Sequence, residues 1–372
     1  MARLTPPEDN QLEVSVFGPG IGECVVCHLT GGRWVVVDSC LDHQTKQPVA
    51  LRYFNDIGVD PSAIALVVAS HWHDDHVSGL SRVVEAAHSA KFACSAALRA
   101  AEFFALIETS RRFASIRFSS GVDEMRHILD RIQARPDRNA RLSGPDYWAS
   151  EGSALLLSQA GEFPVAVHAL SPTAAVVTRQ HHALAKYIPG ADEIVQRVPS
   201  LSANELSVAL WLSVGPVCVL LGADLERGSA ARPPTGWEAV VASEVRPSGK
   251  ARVFKVAHHG SDNAHCEAVW TDLVHPSPHS VLAPFFSGRR FRPAPEDVSR
   301  LKKLTPELYC TKPIRGAVPP RRSQAVERMV ATRTLGERRV AVDRRPGHVR
   351  YREQIGTTGA ATVDLFDGAV RL

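Results

Sequence analysis

The chain has 372 residues, 44% of them hydrophobic and 22% charged, with a formal net charge of +4 and seven irregularly spaced cysteines. That balance allows a sizeable buried core and excludes fibrous, disordered and small disulfide-stapled classes. The first residues hold no apolar signal core and no apolar run reaches membrane-span length, so a cytoplasmic protein without membrane contact is expected.

In chain order, residues 12–17, 23–29 and 33–38 read as the strands of an opening meander, with turns at Gly18-Pro19-Gly20-Ile21-Gly22 and Thr30-Gly31-Gly32. Cys24 and Cys27 have CxxC spacing, but along a strand they point to opposite faces, so both read as buried small hydrophobes. The apolar run 63–69 is a buried strand, leading into His71-Trp72-His73-Asp74-Asp75-His76 and then a helix start at 77–80. Residues 81–145 have helical character, with apolar spacing over 96–107 and 122–132 and stops at Gly121 and Pro136, and read as a helical insertion. Strand patterns return at 153–170 and 206–223, the second a hairpin around Gly215-Pro216 that ends at Asp224. Another apolar strand, 252–257, runs into His258-His259-Gly260-Ser261.

Residues 287–352 carry 18 Lys or Arg against 6 Asp or Glu, while the remainder carries 25 against 33. A basic C-terminal third beside an acidic body suits an anionic partner such as nucleic acid or nucleotide, or else is a solvated arginine-rich surface. Two closing strands, 348–352 and 362–366, follow a Pro-, Gly- and Arg-rich stretch. Strand blocks alternating with helices predict a layered α/β domain over 1–312, with 313–372 an extension packed on it.

The loop 71–76 packs five metal-capable side chains into six positions, a density that packing alone does not explain. His71 and His73 alternate toward one cation, and Asp75 and His76 face a second. Asp224 closes a strand where a carboxylate can bridge two cations, and His258 closes another. His168, inside the apolar run 164–170, is either a ligand or an ordinary strand histidine. His181 and His182 have no strand end to anchor them and read as surface residues. Asp38, ending the third strand, is placed to support the loop from behind.

HxHxDH at 71–76 with strand ends at Asp224 and His258 resembles the metallo-β-lactamase fold superfamily. Four segments are similar to the ComEC-like branch, the hydrolase domain of a DNA-uptake protein and its soluble relatives: Gly20-Ile21-Gly22-Glu23 with Val36-Val37-Asp38-Ser39, Asn204-Glu205-Leu206-Ser207-Val208, Leu221-Gly222-Ala223-Asp224-Leu225-Glu226, and Lys255-Val256-Ala257-His258-His259-Gly260-Ser261. The resemblance implies a four-layer αββα sandwich and two divalent metal ions, zinc first, with manganese or iron as alternatives. It implies ligands His71, His73, Asp75, His76, Asp224 and His258. The place of a further histidine, just before a proline, holds Ser171, so either His168 completes the first site or that site rests on His71, His73 and Asp224. The implied chemistry is cleavage of a phosphodiester of nucleic acid or nucleotide by a hydroxide between the two ions. Asp75 and His259 are the candidate catalytic residues, His259 to orient phosphate or protonate the leaving group. Asn204 and Ser261 are candidate phosphate or supporting contacts. The alternatives are a non-phosphate ester, lactone or amide as substrate, or a silent metal-binding module with protein partners in a larger complex.

Overall fold

The protein is represented by a computed structural model that describes residues 4–18, 22–42, 44–99, 120–135, 144–159, 162–185, 203–287, 290–314, 345–357 and 360–372. Its strands begin with β1 (Gln11–Gly18), β2 (Cys24–Leu29), β3 (Trp34–Val37), β4 (Ile64–Ala69), β5 (Lys91–Ser95) and β6 (Tyr147–Ala149). Next come β7 (Ala154–Ser158), β8 (Val165–Ala169), β9 (Leu210–Val214), β10 (Val217–Leu221), β11 (Ala251–Lys255) and β12 (Val274–Leu282). A short hairpin, β13 (Phe285–Ser287) and β14 (Arg290–Arg292), precedes β15 (Glu307–Cys310), and the chain closes with β16 (Gly347–Gln354), β17 (Thr362–Phe366) and β18 (Val370–Arg371).

These strands form two mixed eight-stranded sheets, ordered β17-β16-β1-β2-β3-β4-β5-β6 and β18-β15-β12-β11-β10-β9-β8-β7. The opening meander forms as expected, and the apolar runs about Gly215-Pro216 pair as a hairpin that begins at Leu210 rather than Leu206. Alternate residues of both sheets meet in one core, among them Val14 and Val16 of β1, Val167 of β8, Leu210 and Leu212 of β9 and Val349 of β16. The outer face of the first sheet, with Val26, Val36, Val67 and Phe92, is covered by the helices Val49–Ile57, Leu80–Ala86 and Ser120–Gln133. The outer face of the second sheet, with Trp211 and Phe254, is covered by Gly236–Ala242 and Pro295–Leu304. This is the expected αββα sandwich, and each large apolar side chain so buried contributes roughly 1.5–3 kcal/mol.

The helical reading of 81–145 needs correction. β5 lies inside it as an interior parallel strand between β4 and β6. Five residues, Lys91-Phe92-Ala93-Cys94-Ser95, are too few for periodicity to separate strand from helix. Of the helical stretch expected at 96–107, Ala96–Arg99 is one 3-10 turn and the rest lies outside the described residues. The helix expected over 122–132 is present. The closing strands are integral: β16 sits between β1 and β17, and β18 edges the second sheet. Most of the arginine-rich stretch, 315–344, lies outside the described residues, as do Gly20 and Ile21. All seven cysteines are free, and Cys24 and Cys27 are buried. Among the described residues no helix is long and apolar enough to cross a membrane.

Candidate metal centre

The parallel strands β3, β4, β10 and β11 end at one rim, and the loops leaving them carry the polar cluster. Asp38, just past β3, accepts the backbone N–H of Ser70 at Oδ1 (2.7 Å) and the Ser70 hydroxyl at Oδ2 (2.6 Å). The same Oδ2 lies 2.7 Å from Nδ1 of His76. His71 Nδ1 sits 3.0 Å from Ser70 Oγ, so one carboxylate fixes His76 directly and His71 through a hydroxyl. The chain then turns into the short helix Asp74–Val77, which brings Asp75 and His76 round to the cluster. Asp74 points elsewhere and accepts the N–H of Gly121.

Two glycines let the loops approach. Gly22 has φ +100°, and a Cβ there would lie 2.9 Å from the Asp75 carbonyl, which accepts the N–H of Glu23. At Gly222 a Cβ would lie 2.8 Å from that of Ala257, so only glycine lets the Asp224 segment lie against the turn after β11.

Asp75, His76, Asp224 and His259 thereby present donor atoms that all lie within 4.8 Å of one another. His76 Nε2 is 3.4 Å from Asp224 Oδ1 and 3.9 Å from Asp75 Oδ2. His259 Nε2 is 3.4 Å from Asp224 Oδ2 and 3.7 Å from Asp75 Oδ2. A tetrahedral zinc ion keeps its N and O donors roughly 3.4 Å apart, which these spacings approach. Each imidazole is anchored at its other nitrogen, His76 by Asp38 and His259 by the Ala283 carbonyl at 2.8 Å, leaving both Nε2 atoms aimed inward. His76 Nε2 and Asp224 Oδ1 are buried without a hydrogen-bond partner. Four carboxylates, Glu23, Asp38, Asp75 and Asp224, share this region with one buried ammonium, Lys255. Buried carboxylates in excess need positive charge, which protonated imidazoles or a divalent cation can supply. The residues therefore fit a metal ion.

Electrostatics point the same way. Burial opposes a charge on His76 and His259, yet the surrounding carboxylates together outweigh it, Asp224 foremost, raising His76 well above its ordinary value and pushing His259 up to about 10. Burial would raise Asp224 and Asp75, but the same two rings hold both carboxyls well below their usual range. His71 and His73 are lowered, chiefly by burial, and remain neutral. In the metal-free chain His259 thus contributes stability that is fully present below pH 6.5 and is lost as the pH rises through about 10. Zinc loading near pH 7 is expected to displace these protons, with affinity increasing as the pH rises. Calorimetry in buffers of different ionisation enthalpy measures that release, and its absence would contradict the arrangement.

The expected ligands divide. His71 and His73 form a pair, Nε2 to Nδ1 3.1 Å, and His71 packs on His76 with ring centroids 4.2 Å apart. Among the described residues no third metal-capable group completes a compact set with this pair. His168 faces the other way. It lies opposite Trp211 on the outer face of the second sheet, while its neighbours Val167 and Ala169 enter the central core. Ser171, at the position where the resemblance implies a histidine, donates to the Ser207 carbonyl (2.6 Å) and accepts the Ala209 N–H (2.9 Å).

The two histidines after β11 exchange their expected positions. His258 and His259 both have left-handed backbone, φ 45° and 56°, at a cost of roughly 1–2 kcal/mol per residue. That conformation turns the rings apart. His258 Nε2 is 4.0 Å from Asp224 and faces Asn204 Nδ2 (3.3 Å) and Arg292 Nη1 (3.5 Å). Its lone pair thus meets two donors, and burial, helped by the charges of His259 and Arg292, lowers it to about 4 against the opposing pull of Asp224. His259 has one nitrogen on a carbonyl and the other among the carboxylates, leaving neither for a leaving group. Asn204 also donates to Glu226 (3.1 Å), and Ser261 donates to the His258 carbonyl (2.5 Å). His181 is half-buried and His182 exposed, both on the helix Ala174–Ala185.

Three residues at the site escape the sequence reading. Glu23 pairs with Lys255, lies 3.6 Å from His259 Nδ1 and 3.9 Å from His76 Nδ1, and forms a second potential donor group with Asp38 and His76. A lysine inside the apolar strand β11 is the signal that would have found this pair. Arg292, the third, approaches from β14.

The sequence model of the metallo-β-lactamase superfamily matches residues 17–182, which include the 71–76 loop. No curated protein matches the chain. Among solved structures, the metallo-β-lactamase fold protein YhfI from Bacillus subtilis is 11% identical with a TM-score of 0.37, over 80% of this chain and 95% of that one. The metallo-β-lactamase SMB-1, bound to 2-mercaptoethanesulfonate, is 14% identical with a TM-score of 0.33, over 69% and 82%. MEM-A1, a subclass B3 metallo-β-lactamase from a soil metagenome library, is 12% identical with a TM-score of 0.32, over 68% and 81%. Residues 17–182 are thus similar to the metallo-β-lactamase superfamily, and of the four-donor group Asp75 and His76 lie inside that match and Asp224 and His259 beyond it.

Proposed function

We propose that this protein is a metal-dependent hydrolase that cleaves a phosphodiester of nucleic acid or nucleotide. The observation that carries the reading is the convergence of Asp75, His76, Asp224 and His259, with buried donor atoms left without partners. These four would hold a divalent cation, zinc by donor type and manganese or iron as alternatives, which would supply Lewis acidity and lower the pKa of bound water. Asp38 and the Ala283 carbonyl orient the two rings, and Glu23 backs both from behind. His259 belongs with the metal donors in this reading, and His258 with the substrate wall. His71 and His73 would be donors for a second cation.

The phosphodiester assignment is supported by the resemblance to the ComEC-like branch and by the basic balance of residues 287–352. The two-donor pair favours one other reading, a metal-binding module without turnover. The test is incubation of the zinc- or manganese-loaded protein with bis(p-nitrophenyl) phosphate and with single- and double-stranded nucleic acid. Turnover is expected and is expected to vanish in Asp75→Ala. No turnover with any metal would overturn the hydrolase in favour of the silent module.

A further inference from the structure

We propose that Arg292 anchors a phosphate-binding subsite beside the metal centre. This deepens the phosphodiesterase reading and rests on it for the identity of the substrate. Arg292 ends the hairpin of β13 and β14, which stands apart from both large sheets and packs on the site through Phe285, stacked on His259 at 5.3 Å. A single guanidinium nitrogen, Nη1, makes its contacts: Ser261 Oγ at 2.8 Å, Asn263 Oδ1 at 3.3 Å and His258 Nε2 at 3.5 Å.

None of the three partners is a carboxylate. Among the described residues Arg292 has no carboxylate within ion-pair distance and no hydrogen bond at Nε or Nη2. Its neighbours differ: Arg300 pairs with Asp262 and Asp297, and Arg227 with Glu238. Farther along the basic region, Arg350 and Arg352 are neutralised by Asp364 and Glu13. Arg292 is therefore a cation held by a hydroxyl, an amide oxygen and an imidazole, with one edge of its fork unused among the described residues.

That edge suits two oxygens of a tetrahedral oxyanion, which a planar guanidinium binds through parallel N–H donors. One imidazole, that of His258, separates Arg292 from Asp224, so a phosphate on the fork adjoins the four-donor group. The subsite thus selects anionic phosphate esters over neutral esters at one metal centre.

The test is titration of the metal-loaded full chain with inorganic phosphate, followed by calorimetry, beside metal content and thermal midpoint. In Arg292→Gln the phosphate Kd is expected to rise about tenfold to a hundredfold, as loss of a charge-assisted bidentate contact predicts, with metal content and midpoint unchanged. Arg292→Lys is expected to recover part of the loss, and it carries the test if the glutamine variant fails to fold. No saturable phosphate binding in the parent chain, or a parent-like Kd in both variants, would overturn the subsite. Hydrolysis of bis(p-nitrophenyl) phosphate and of neutral p-nitrophenyl acetate is followed in parallel. Loss confined to the phosphate ester supports the subsite, and equal loss on both overturns it. A parent chain that binds phosphate in this Arg292-dependent way yet cleaves neither ester refutes the hydrolase and leaves the subsite standing. Normal phosphodiester turnover in Arg292→Gln does the reverse.

Discussion

Replacing Asp224 with alanine is expected to lower metal-dependent phosphodiester turnover by about three orders of magnitude, equivalent to roughly 4 kcal/mol of transition-state stabilisation. Asp224 is the carboxylate that both imidazoles face, one at each oxygen. Without it the compact group loses the donor that closes it, and bound zinc should fall below one equivalent per chain. Asp224→Asn keeps the shape and removes the charge, so it separates the two contributions. Metal analysis and steady-state kinetics on the same preparations decide the matter. A variant that keeps both its zinc and its rate would refute the metal assignment.

The second large effect is on stability. Lys255→Met is expected to destabilise the fold by about 3–5 kcal/mol, the usual cost of stranding one member of a buried ion pair. Burial already raises the Glu23 carboxyl, and Lys255 is the largest influence holding it down. Without the ammonium Glu23 takes up a proton more readily. The deficit is therefore smallest in acid and grows as the pH rises through the raised Glu23 value. The double variant Lys255→Met with Glu23→Gln removes both charges and should recover most of the loss. Urea denaturation across pH gives the comparison, and a single-variant loss below about 1 kcal/mol would refute the account.

Dense local chemistry was legible in the sequence, and backbone conformation was not. The 71–76 loop declared itself because imidazoles and carboxylates crowd six positions after an apolar strand. The strand end at Asp224 was legible for a similar reason, an acid terminating a β-branched run. Which of His258 and His259 faces the acids depends on two consecutive left-handed residues, and His-His-Gly-Ser does not announce that turn. The choice left open for His168 could have been narrowed: alternation with Val165, Val167 and Ala169 already puts it on the outer face. β5 was lost because its five residues carry no period. Glu23 and Lys255 stand 232 positions apart and are partners only in three dimensions.

β16 carries a consequence for biosynthesis. Glu13, at the middle of β1 and fully buried, is neutralised by Arg352, which is made 339 residues later. Until that arginine leaves the ribosome, β1 has an open edge and an acid without its counter-ion. The first sheet can close only after β16 has been made, and loop-closure entropy makes so distant a pairing slow. Nascent chains of this protein are therefore exposed to edge-to-edge aggregation until β16 emerges, and shortened chains that stop before β16 inherit the same fate permanently.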